Sequence, residues 1–264
     1  MKIQKVLFSS SDEYLDFWEP ISKIFYEKLG MESVLVYFGD LPATEKYGKV
    51  IRVKPLPYPR RIQLLWSRIW WAKTEPDTTW LLGDIDLFPL QKTRFIDDIA
   101  DISDDYHVHL GYNKISDPHD LWMERGPREG GADLVSHYHV AKGHVLDKNL
   151  DLHDTFEEAC KFIYESKQYG LGFFCETFRN EEMMYHCCCE HLSTEKIRNK
   201  LKTKSIAFEG LWYDFSQCLS RGCKMNYDEH LLRNNYYIDF HSLRPYTENK
   251  EAINKILDIA WNGK

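Results

Sequence analysis

Trp80-Leu81-Leu82-Gly83-Asp84-Ile85-Asp86-Leu87-Phe88-Pro89 decides the reading of this chain. A bulky apolar run passes through one glycine into two carboxylates a residue apart. The run predicts a buried strand that ends by pushing Asp84 and Asp86 into a cleft. In a parallel α/β sheet, ligands bind beyond the carboxyl ends of the strands. If the backbone stays extended, both acids face one side. Hard divalent cations prefer carboxylate oxygen and tolerate phosphate as a shared ligand, so the pair predicts a metal with a diphosphate on it. The bland alternative is that Asp84 caps a turn and Asp86 faces solvent. Asp-x-Asp is common, and Asp101-Ile102-Ser103-Asp104-Asp105 clusters acids without a strand before it. The strand context and the trailing Leu-Phe-Pro favour the ligand reading.

Working outward, the lead-in has β-α-β order. Val6-Leu7-Phe8 reads as a first strand. Leu15, Trp18, Ser22, Phe25 and Leu29, with Ile21 and Ile24 beside them, predict an amphipathic helix stopped by Gly30. Ser33 to Phe38 is a second strand, closed by Gly39-Asp40, and Lys49 to Val53 a third. After Pro55, Pro57 and Pro59, a helix from Arg60 carries Ile62, Leu65, Trp66 and Ile69 inward and ends before Glu75-Pro76-Asp77. Thr78 to Leu82 is the fourth strand. Later elements are strands over His107–Tyr112, Ser136–Val145 and Tyr236–His241, and helices over Thr155–Lys167, Glu181–Leu192 and around Ile253–Trp261. Asp117 to Asp133 reads as a loop.

Composition sets the bounds. The 264 residues, 43% apolar and 14% aromatic, are ample for a folded core. A net charge of −7, from 41 acids against 34 bases, argues against a nucleic-acid partner, which needs a basic field. No apolar run reaches the ~20 residues of a membrane helix. The N-terminus turns polar at Ser9-Ser10-Ser11 and does not read as a signal peptide. The expectation is a soluble, cytoplasmic protein, although a trimmed form of a membrane-anchored parent stays open. The seven cysteines, three of them consecutive at Cys187-Cys188-Cys189, lack any CxxC and read as reduced, mostly buried thiols. His137, His139 and His144 alternate or stand alone without HExxH, so they do not read as zinc ligands.

The segment Thr79 to Pro89 resembles the DxD segment of glycosyltransferases of the GT-A fold. The Ser9-Ser10-Ser11 turn after strand one resembles the place where that family touches the nucleotide. The similarity covers residues 1–110 in layout. A fainter likeness is to the small soluble glycosyltransferases of large DNA viruses. The resemblance implies a GT-A-like, Rossmann-related mixed central sheet flanked by helices. With no internal repeat, low-complexity segment or clear linker, one domain over 1–264 is expected, with a nucleotide-binding half (1–110) and a donor-sugar and acceptor half (111–264). It implies a metal-dependent hexosyl- or pentosyltransferase, with Mn²⁺ or Mg²⁺ and a UDP- or GDP-linked sugar as donor. The acceptor would be a carbohydrate or glycoconjugate.

Carried over by residue, Asp86 binds the metal, and Asp84 helps it or meets the ribose. Many members add a histidine from near the C-terminus, and His241, at a strand end, takes that place. Asp239 falls on the same face as His241. Ser9, Ser10, Asp40, Arg61, Arg68 and Asp84 are the nucleotide-side candidates, since a guanidinium fork suits phosphate. A solvated helix face is the alternative for Arg61 and Arg68. Gly131 and Asp133, in the Arg125–Asp133 segment, stand where the family places its donor-sugar loop. Glu181 and Glu182 are candidate general bases, against the usual excess of acids in a first helical turn. Trp122, Trp212 and Tyr213 are candidate sugar platforms. A nucleotidyltransferase that makes the nucleotide sugar is a competing reading. It calls for a glycine-rich basic loop after strand one, where Ser9-Ser10-Ser11-Asp12-Glu13 is acidic and glycine-free. The other competitor is a non-catalytic carbohydrate-binding protein on the same fold.

Overall fold

The structure, a computed structural model, describes residues 1–113, 138–166, 181–220 and 226–263. Apolar alternation builds the first half as expected. β1 (Lys5–Ser10) sends Val6 and Phe8 to one face and Leu7 to the other. A 3₁₀ turn (Asp12–Phe17) leads into α1 (Trp18–Leu29), where Trp18, Ile21, Phe25 and Leu29 are buried at helical spacing. Gly30 ends it in the left-handed region at φ 68°. β2 (Glu32–Tyr37) and β3 (Gly48–Arg52) follow, then α2 (Arg60–Ala72) and β4 (Thr79–Leu82). Next come β5 (Leu87–Pro89), α3 (Thr93–Ile96), β6 (Tyr106–Asn113) and β7 (His139–Lys142). The helices α4 (Gly143–Leu150), α5 (Phe156–Ser166) and α6 (Glu181–Lys202) precede β8 (Ala207–Asp214) and β9 (Cys218–Ser220). The chain then passes through α7 (Glu229–Arg233), β10 (Asp239–His241) and α8 (Tyr246–Asn262).

Seven strands form one mixed sheet in the order β3-β2-β1-β4-β7-β6-β8. Only β7 runs antiparallel to its neighbours, and the other six point the same way. Helices cover both faces. Phe8, Leu35, Leu81, Val108 and Val140 pack with α1 and α8 on one side. Leu7, Val36, Trp80, Leu82 and Ala141 pack with α2, α4, α5 and α6 on the other. β4 is buried on both faces, which is why it reads as a continuous apolar run. A second sheet, β5-β10-β9, joins the end of the Leu-Phe-Pro segment to the late Asp-Phe-His strand.

Expectations at Ser9–Ser10 and at Ser136–Val145 need correction, and the strand expected over Tyr236–His241 is only Asp239–His241. Ser9 and Ser10 belong to β1 itself, paired with Val36 and Tyr37, and are not a turn after it. The strand expected over Ser136–Val145 is, among the described residues, only His139–Lys142, and the chain becomes helical at Gly143. The reason is local. Gly143 N–H donates to the Thr78 carbonyl (3.1 Å) and His144 N–H to the Pro76 carbonyl (3.0 Å), which turns the backbone against the end of α2. A Cβ at Gly143 would collide with the backbone oxygens of Ala72 and Glu75. Gly143→Ala is therefore expected to lower stability by about 1–3 kcal/mol, read as a fall in the thermal unfolding midpoint.

Candidate active site

The site starts from the end of β4. Gly83 N–H closes the sheet with a hydrogen bond to the Leu7 carbonyl (3.0 Å), and its own carbonyl accepts from Arg68 Nη1 (2.8 Å). A Cβ at Gly83 would lie 2.7 Å from the buried Phe8 ring, so only glycine fits this approach without displacing the core. Beyond it the backbone is not extended. Leu87 N–H donates to the Asp84 carbonyl (3.1 Å), which makes Asp84 to Leu87 a turn. The two carboxylates are thus aimed by a turn and by their partners, and not by strand alternation. Ile85 between them is buried in the core.

Each carboxylate meets a guanidinium. Asp84, one quarter exposed, is ion-paired to Arg68 Nη1, and the Arg68 side chain is only 2% exposed. Asp86, 4% exposed, accepts on Oδ2 from Arg244 Nε (2.6 Å) and Arg244 Nη2 (2.5 Å), with His241 Nε2 at 3.4 Å from the same oxygen. Burial alone would raise the Asp86 carboxyl. The hydrogen bond and attraction of His241, then the charge of Arg244, outweigh burial and hold it below its ordinary value. Arg244 also donates through Nη1 to the Tyr14 hydroxyl (2.8 Å) and lies over the Tyr14 ring at 4.5 Å.

His241 arrives through strand register. β10 is antiparallel to β5, with His241 opposite Leu87, Phe240 opposite Phe88 and Asp239 opposite Pro89. Ser242 N–H then donates to the Asp86 carbonyl (2.9 Å). The structure thus brings together Asp86 and His241, with Arg244 on the same oxygen. Arg244 was not among the sequence candidates; its place three residues beyond His241 was the available signal. Asp239 does not join them: it is fully buried and accepts a hydrogen bond from the Tyr213 hydroxyl. That bond commits Tyr213 to the core, and Trp212 packs on His109 at 5.1 Å.

The remaining candidates are placed as follows. The Ser9 hydroxyl donates to the Leu64 carbonyl of α2, and the Ser10 hydroxyl to the Ser11 carbonyl (2.9 Å), so both side chains serve the fold. Arg68 is a buried pair to Asp84 and not part of a solvated face, while Arg61 is half-buried and acts electrostatically on Cys189 of α6. Asp40 is exposed in a loop built on Asp12. The Asp12 carboxylate accepts from the Tyr37 hydroxyl and from Leu41 N–H (3.2 Å) and Asp40 N–H (3.4 Å). Burial, then that Asp12 bond, pushes the Tyr37 hydroxyl up to about 12. Glu181 and Glu182 open α6, but their side chains lie outside the described residues. Gly131, Asp133, Trp122 and His137 also lie outside them.

Three other histidines form a buried group that sequence reasoning did not assemble. Asn149 donates to His107 Nδ1 (3.3 Å), His107 Nε2 faces His139 Nδ1 (2.9 Å), and the His139 ring packs on His109 at 4.7 Å. Burial, and then His139, keeps the His107 pKa well below its ordinary value. Among the described residues, no group of three or more His, Cys, Asp or Glu side chains is arranged to hold a metal ion. Asp86 and His241 are a two-donor set, one oxygen and one nitrogen, chemically suited to Mn²⁺ or Mg²⁺ with further positions filled from a ligand. Cys160, Cys188, Cys189 and Cys218 are buried. No helix among the described residues is long and apolar enough to cross a membrane.

No family model and no curated protein sequence matches the chain. Among solved structures it is similar to the galactosyltransferase LgtC in complex with donor and acceptor sugar analogues. The TM-score is 0.49 at 9% identity, over 97% of this chain and 95% of that one. An active-site mutant of LgtC gives a TM-score of 0.49 at 10% identity, over 96% of each chain. A glycosyltransferase involved in glycosylation of the major capsid of PBCV-1 gives 0.43 at 10% identity, over 94% of this chain and 99% of that one.

Two outcomes follow from these contacts. Tyr213→Phe removes one hydroxyl that donates to buried Asp239 and is expected to lower unfolding free energy by about 1–3 kcal/mol in urea titration. The folded Asp86 carboxyl titrates below the unfolded one. Its pairing therefore stabilises fully above the unfolded value of about 3.9 and is lost as pH falls through the folded value. Asp86→Asn should flatten this acid limb. Its unfolding free energy should drop less than that of the wild type between about pH 5 and pH 3.

Proposed function

We propose that the protein is a glycosyltransferase of the GT-A type. It would move a sugar from a nucleoside-diphosphate donor, UDP- or GDP-linked, to an acceptor hydroxyl with the help of Mn²⁺ or Mg²⁺. The observation that carries this reading is the meeting of buried Asp86 with His241, at 3.4 Å, at the carboxyl edge of β1 and β4. An oxygen and a nitrogen donor so placed, where α/β sheets bind ligands, suit a hard cation that carries phosphate. The surrounding charge supports the same conclusion. Asp12, Asp40, Asp84 and Asp86 follow the ends of β1, β2 and β4 in a chain of net charge −7, so an anionic diphosphate needs cations to enter.

Asp86 and His241 would hold the metal. When bound, it supplies Lewis-acid stabilisation of the departing nucleoside diphosphate. Asp84, fixed by Arg68 and Gly83, stands on the nucleotide side. The nucleoside would lie along the ends of β1 and β2, near Ser9, Ser10 and Asp40, with Arg61 deeper beside α6. Because the Ser9 and Ser10 hydroxyls are engaged, contacts there fall to the backbone and to the Asp12-built loop. Gly131 and Asp133 keep the donor-sugar assignment. The acceptor oxygen bonds to the anomeric carbon as the bond from that carbon to the phosphate oxygen breaks. In an inverting course the acceptor proton passes to Glu181 or Glu182 at the start of α6.

The direct test is a panel of nucleotide sugars incubated with Mn²⁺ or with chelator, followed by assay of released nucleoside diphosphate. Turnover should require the metal. Asp86→Ala and His241→Ala should each reduce it by on the order of 10²-fold or more while far-UV spectra stay unchanged. Equal turnover in Asp86→Ala would place the site elsewhere.

A further inference from the structure

The Asp86 Oδ2 atom, the one that faces His241, already carries two N–H groups of Arg244, at 2.6 and 2.5 Å. A divalent cation and a guanidinium on one carboxylate oxygen repel each other, so the two compete for it. Metal on this oxygen would therefore weaken the hold of Asp86 on Arg244. The neighbouring pair shows what a fixed guanidinium looks like here. Arg68 is 2% exposed and is tied to both the Gly83 carbonyl and Asp84. Arg244 is different: its side chain is 32% exposed, and beyond Asp86 it meets the hydroxyl and ring of Tyr14. An aromatic face holds a displaced guanidinium loosely. A planar fork released beside a metal-bound diphosphate meets the anion it fits best.

Resting on the glycosyl-transfer reading above, we infer that Arg244 is an exchange residue. Without donor it neutralises Asp86 in place of the metal, and on loading it yields Asp86 to the metal and binds the donor diphosphate. The exchange keeps buried Asp86 paired at every stage, which a buried carboxylate requires. It also couples the two ligands: the metal frees the guanidinium for the diphosphate, and the diphosphate keeps the guanidinium off the metal's oxygen.

The test compares wild-type protein with Arg244→Gln and Arg244→Lys by calorimetry. Mn²⁺ is titrated alone, and then a panel of nucleoside diphosphates (UDP, GDP, ADP, CDP, dTDP) is titrated at saturating Mn²⁺. The expected result has opposite signs. Arg244→Gln should bind Mn²⁺ alone tighter by roughly tenfold and the nucleoside diphosphate weaker by a similar factor. Arg244→Lys, which keeps the charge but not the fork, should shift both in the same senses by less. A merely structural role would weaken both ligands or neither. Unchanged or weaker Mn²⁺ binding in Arg244→Gln overturns the exchange; if that variant does not fold, Mn²⁺ binding by Arg244→Lys equal to wild type overturns it. A wild-type protein that takes up no Mn²⁺, or Mn²⁺ but none of the nucleotides, overturns the glycosyl-transfer reading and the exchange with it.

Discussion

The antiparallel pairing of β5 with β10 is the constraint on which the site depends. It places His241 opposite Leu87, so the histidine emerges beside Asp86 although 155 positions separate them in the chain. Two further bonds hold the register. Leu90 N–H donates to the Ile238 carbonyl (2.9 Å) at one end, and Ser242 N–H to the Asp86 carbonyl (2.9 Å) at the other. Phe88 and Phe240 stack behind the pair with centroids 6.5 Å apart. A slip of one residue would turn Phe240 toward the cleft and His241 toward the core. The small sheet therefore acts as a jig that sets one ligand atom against another.

Charge is arranged around that jig with a buried and a more exposed guanidinium. Asp86 is almost fully enclosed, and a lone carboxylate there would be untenable. Arg244 and His241 compensate it. Asp84 is more open yet is held by the more deeply buried guanidinium, Arg68. The two pairs thus differ in what they permit: the Arg68 pair fixes the turn after Gly83, and the Arg244 pair leaves a charge at the mouth that solvent and ligand can reach.

Much of the scaffold was legible in advance. The run of β1, α1, β2, β3, α2 and β4 follows from period-two and period-3.6 patterning, and the stop at Gly30 from its left-handed backbone. β8 was not read as a strand, because Phe208-Glu209-Gly210-Leu211-Trp212 lacks clean alternation. It forms through parallel pairing to β6 along its whole length. The serines of β1 were read as a turn because three small polar residues usually mark one. Here the Ser9 hydroxyl is satisfied by the Leu64 carbonyl, so the strand runs on. The histidines of β6 and β7 alternate in sequence, but their mutual contacts arise only from the pairing of His109 with His139.

By itself the sequence determined the α/β class, the burial of β4, the delivery of Asp84 and Asp86 at its end, and the strand that ends at His241. These depend on local pattern, which a reader of one segment can see. The tertiary structure decided the turn between the two acids, the partner of each, the burial of Arg68 and Asp239, and the seat of Arg244 on Asp86. All of these are contacts between segments far apart in the chain. They are set by register across β5 and β10 and by the packing of α2 under Gly83, and no local periodicity encodes either.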